Sequence, residues 1–136
     1  MPSYNGPRSH AQDAREALRR LAHETRTLEN PTDIYPVLGD LSNALASLAQ
    51  SLHQIGEFHE GPARKRAWVT GDARTGRAAS YQVAWELHRA AEMVHQVAAG
   101  IDRAHEVEAT IAYDVRDYPS LVAPPSRSTR EPGLSL

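Results

Sequence analysis

DIYPVLGDLSNALASLAQSLHQIGEFHE, residues 33–60, decides the fold. Its large apolar residues are Ile34, Leu38, Leu41, Leu45, Leu48, Leu52 and Ile55, spaced alternately by three and four. That spacing draws one stripe along an α-helix and is the pattern of a coiled-coil seam. No strand-like alternation competes with it. Thr32 or Asp33 can cap the start, and Pro36 falls in the first turn, where a missing N–H is tolerated. Gly61-Pro62 stops the segment.

The same period runs on both sides. Residues 9–29 place Ala11, Ala14, Leu18, Leu21, Thr25 and Leu28 on one stripe, and Asn30-Pro31-Thr32 ends it. Residues 75–113 place Val83, Leu87, Ala90, Val94, Val97, Ile101, Ala104 and Ile111 on another, broken only by Glu108, with Asp72 or Thr75 as the cap. The expected fold is all-α. It is a long antiparallel helical hairpin with a shorter N-terminal helix, a three-helix bundle of coiled-coil type. The helical domain covers residues 9–116, with helices over about 9–29, 33–60 and 75–113, and with a basic loop at 61–74. Helices joined by a loop of this length most simply lie antiparallel. Residues 1–8 and the Pro/Ser/Arg tail 117–136 read as disordered.

The chain has 136 residues and one Phe, so one small domain with an aliphatic and alanine core is expected. Its net charge of -2 argues against a protein coated in positive charge. The charge is uneven, because residues 61–77 hold Arg64, Lys65, Arg66, Arg74 and Arg77 against Asp72. Cysteine is absent, which excludes disulfides and thiolate metal sites. No apolar run is long enough for a membrane span, and the N-terminus lacks a signal-peptide core. A cytoplasmic location without membrane contact is the expectation.

Two further rows point to contacts beyond the main seam. The third helix carries Ala84, Ala91, Ala98 and Ala112 at heptad spacing, small enough to let another helix come close. The second carries Val37, Ala44, Ser51 and Phe58, and between Ile34 and Gly56 its one charged residue is Asp40. A freely solvated helix carries more charge than that. Either the first helix covers this surface within one chain, or the surface meets a partner. The residues expected at such an interface are Val37, Ala44 and Phe58 with Ala91 and Ala98, and the expected assembly is a homodimer.

The seven histidines do not form a metal pattern. His88, Glu92 and His95 share one helix face and contain an ExxH spacing, but no second ExxH accompanies it. His59 and His105 fall on the apolar seams, where a partly buried polar residue is the ordinary reading. No nucleophile elbow, P-loop or dinucleotide fingerprint occurs. No metal, cofactor or catalytic residue is expected, and the chain reads as non-enzymatic. The basic loop has two readings. Arg64, Lys65, Arg66, Arg74 and Arg77 with Trp68 can contact phosphates and a base, giving a nucleic-acid accessory factor. Alternatively the loop pairs with Glu57 and Glu60 and folds back over the end of the hairpin.

The segment from Asp33 to Leu41, followed by an uncharged Leu/Ala/Gln helix and a long alanine-rich one, resembles a group of small uncharacterised all-helical actinobacterial proteins. Those proteins often come from plasmid or integrative-element neighbourhoods. The likeness covers about residues 33–112 and implies an all-helical fold and a mobile-element setting, with no activity attached. A second resemblance is to secreted WXG100-type helical hairpins, through Tyr113 and Asp117 in a Tyr-x-x-x-Asp pattern. The turn Trp68-Val-Thr-Gly71 is one residue longer than that family's Trp-x-Gly. It implies a secreted helical-hairpin protein. The favoured reading remains an interaction or scaffold protein that acts through protein–protein contacts.

Overall fold

A computed structural model describes residues 6–67 and 71–114. The protein is all-α, with three helices and no strand among the described residues. Helix α1 spans Pro7–Glu24, α2 Ile34–Glu60 and α3 Ala73–Glu108. Short 3₁₀ turns at Pro31–Asp33 and Arg64–Arg66 lie between them. The chain divides into two compact units, one of which, Thr32–Ala112, holds α2 and α3, while the other holds α1. The tail 117–136 and residues 1–5, both expected to be disordered, lie outside the described residues.

Helix α1 begins earlier and ends earlier than its apolar period suggests. Gly6 is its N-cap and Pro7 opens it, where the missing N–H costs no helical bond, so Pro7 and Arg8 belong to the helix and not to a tail. After Glu24 the amide of Arg26 bonds the carbonyl of His23, and the backbone tightens before Asn30-Pro31. No residue of α1 is buried. Glu16 pairs with Arg19 and Arg20 on its exposed surface, which contributes little.

Helices α2 and α3 pair antiparallel. Partners in α3 descend as positions in α2 rise: Gly39 meets His105, Ser42 meets Asp102, His53 meets His88 and His59 meets Ser80. Asp33 occupies the cap position of α2 inside the 3₁₀ turn, without a side-chain capping bond. At the other end the amide of Gly61 bonds Glu57 and that of Ala63 bonds Phe58, which closes α2 before Pro62. Asp72 caps α3, accepting from the Arg74 amide at 3.0 Å and from the Thr75 hydroxyl. Helix α3 stops at Glu108, short of the expected 113, because the hydroxyl and amide of Thr110 both bond the carbonyl of Val107.

The line of closest approach is made of small residues. On α2 it runs Ser42, Ala49, Gly56, and on α3 it runs Ala84, Ala91, Ala98, both at heptad spacing and all buried. Two expectations are corrected here. Ala91 and Ala98, expected to face a second copy, are 0% and 6% exposed because α2 of the same chain covers them. The leucine and valine rows, expected to be the hairpin seam, lie roughly a quarter turn away from it. Small side chains allow the shortest helix separation, so the pair settles on them and the long side chains flank the contact.

Gly56 is a tight point of the seam. A Cβ there stands 2.9 Å from His88 Nε2, so a methyl group displaces the imidazole. Gly100 differs, since its nearest neighbour is Arg103 Nη2 at 3.5 Å, an ordinary contact. Gly100→Ala is therefore expected to raise stability by roughly 0.5–1 kcal/mol through helix propensity. Gly56→Ala is expected to lower it by about 1 kcal/mol, because overpacking outweighs the same gain. Urea unfolding of the two variants checks the opposite signs.

Candidate protein-docking face

The seam has two unlike flanks. Leu45 and Leu52 sit four before and three after Ala49, and Leu87 and Val94 sit four before and three after Ala91. In antiparallel helices, rows displaced in the same rotational sense from the contact line lie on the same side of the pair. The aliphatic rows of α2 and α3 therefore form one face. The opposite flank is polar and holds His53, three before Gly56, and His88, three before Ala91.

On the apolar face, Leu41, Leu45, Leu52, Leu87, Val94 and Ile101 are half-buried. Leu48, Ile55, Val83 and Val97 are 40–54% exposed. No side chain of the row bears charge between Ile34 and Ile101. Towards the loop the face runs into a shallow groove of about 390 Å³ walled by Phe58, Ala63, Ala79 and Val83, with Arg66 at its rim. Taking one such side chain from half to full burial is worth about 1 kcal/mol. Of the expected interface residues on α2, Val37 is half-buried, while Ala44 and Phe58 are exposed beside this face.

The polar flank locks the pair by hydrogen bonds across the seam. His53 Nδ1 meets His88 Nδ1 at 2.7 Å, His53 Nε2 meets Glu92 at 3.2 Å, and His88 Nε2 meets Glu60 at 3.1 Å. Among the described residues, no group of three or more His, Asp or Glu is arranged to hold a metal. At the loop end of the apolar face, where both line the groove, Ser80 Oγ donates to the His59 carbonyl at 2.8 Å and accepts from His59 Nδ1 at 3.0 Å. At the open end His105 stacks on Tyr35 with ring centroids 4.0 Å apart, over Gly39.

This cross-helix cluster was not found by spacing within either helix. His53 and His88 belong together only once the antiparallel register is known. The signal available was the pairing of polar positions on matching flanks of two heptad rows.

The basic loop is partly committed to structure. Arg64 donates to the Tyr81 hydroxyl, and its guanidinium lies 4.8 Å from that ring's centroid. Glu60, expected beside the loop cations, takes His88 instead. Lys65, Arg66, Arg74 and Arg77 are exposed, and Trp68 lies outside the described residues. No helix among the described residues is long and apolar enough to cross a membrane. Comparisons with protein-family models, curated proteins and solved structures find no match to this chain.

The Thr75 hydroxyl, followed by the Arg74 amide, holds the Asp72 carboxyl below its ordinary range, and Arg77 adds to the effect. A lowered folded pKa contributes stability above the unfolded value and loses it as pH falls through the folded one. Asp72→Ala is accordingly expected to lower the urea midpoint at neutral pH. The gap to the unaltered protein closes in acid, below the lowered pKa, and paired unfolding curves at the two pH values check it.

Proposed function

We propose that this chain is a non-enzymatic helical interaction protein that docks another polypeptide on the apolar face of the α2/α3 hairpin. The observation that carries the reading is the uncharged aliphatic row spanning both helices, with Leu48, Ile55 and Val97 half exposed. A helix stripe of that kind needs a packing partner to be covered. A continuous apolar patch is the usual mark of a protein–protein site. The side chains are held ready by a rigid seam, so little ordering is required on docking. The polyanion reading has less support, since Arg64 is already held against Tyr81. A mobile-element setting and a cytoplasmic location remain expectations attached to the sequence.

A photoreactive amino acid placed at position 48 or 97 is expected to give adducts with another polypeptide in living cells. The same group at Gln50, on the polar flank, is expected to give none. Absence of intermolecular adducts from both 48 and 97 would sink the docking reading.

A further inference from the structure

We infer that the polypeptide docked on this face is a second copy of the chain, packed with its loop end against the open end of the first. This inference rests on the docking reading and names its partner. Three observations carry it. The face is aliphatic and uncharged along both helices, so it is complementary to itself, as a two-fold interface requires. From Ile34 to Ile55 it runs about 32 Å along α2, and it is two helices, or roughly 20 Å, wide. Its corrugated surface therefore approaches the ~800 Å² per partner of a standard stable interface.

The third observation is charge, and it selects both partner and orientation. At the loop end, residues 57–77 carry five basic side chains against Glu57, Glu60 and Asp72, a net +2. At the open end, residues 33–40 and 102–108 carry Asp33, Asp40, Asp102, Glu106 and Glu108 against Arg103, a net -4. The hairpin is thus a charge dipole along its own axis. A two-fold axis across the helices sets each basic loop beside the acidic open end of the other copy. A two-fold axis along the helices sets like beside like. In the first arrangement α2 lies on α2 of the second copy and α3 on α3. Every neighbouring helix pair then runs antiparallel. Leu48, near the middle of helix α2, meets itself at the axis.

Light scattering with size-exclusion chromatography tests the partner, and a cysteine tests the orientation, since the chain has none of its own. The expected mass is about 30 kDa, twice the 15.0 kDa of the chain. Leu48→Glu is expected to give a monomer with unchanged helix content, because that side chain is 43% exposed and the hairpin seam does not need it. Leu48→Cys is expected to form a disulfide dimer on mild oxidation, and Gln50→Cys is not. Lys65→Glu with Arg66→Glu is expected to weaken the dimer roughly tenfold at low salt, where such charges are least screened. A monomeric mass overturns the inference. If adducts from position 48 to a different protein accompany it, the docking reading survives alone. A dimer that persists in Leu48→Glu, or one whose Leu48→Cys form never cross-links, also overturns the inference.

Discussion

The contact on which everything else depends is the close approach of α2 and α3 along Ser42, Ala49, Gly56 and Ala84, Ala91, Ala98. None of these side chains is larger than a serine. The energy of the seam comes from short separation and many weak contacts along two long helices, and not from deep burial of large groups. The hydrophobic residues buried among the described positions are all alanines, Ala49, Ala84, Ala91 and Ala98. Such a seam leaves little room for volume: a Cβ at Gly56 already meets the His88 ring at 2.9 Å.

From that choice the two flanks follow. Once the small row is central, residues one step around each helix cannot reach the partner helix fully. On one side these are leucine and valine, which stay half in water. On the other they are histidine, glutamate and tyrosine, which reach across and bond. The hydrogen bonds fix the register and the rotation of the helices, as directional contacts do and dispersion does not. His88 illustrates the coupling. Its imidazole is trapped between Gly56 and the His53 ring, with Glu60 on its outer nitrogen. The absence of a Cβ at Gly56 makes room for the ring, and the ring closes the gap.

Much of the fold was legible because each helix was written in apolar period and punctuated by proline and glycine. The Asp33/Pro36 start, the Gly61-Pro62 stop and the Asp72 cap all mark local backbone requirements, and local requirements show in sequence. What was misread was which row goes inside. Ala84, Ala91 and Ala98 stood out as a row for close approach, but the helix that approaches them is α2. Periodicity gives the rows of each helix without saying which rows meet, since that depends on separation as well as on hydrophobicity. The histidine cluster was hidden for the same reason. His53 and His88 are 35 residues apart, and only the register joins them.

The loop shows how a charged segment can be structural and still matter at long range. Arg64 is held on Tyr81, and Asp72 is spent on the cap of α3. What is left over is positive charge at one end of a rod whose other end is acidic. Over a length of about 54 Å, that of a 36-residue helix, such a separation exceeds the Debye length several-fold at ordinary salt. The two ends therefore do not neutralise each other within one chain. Each presents its own field to whatever docks alongside, so the charge acts on orientation while the aliphatic face acts on affinity.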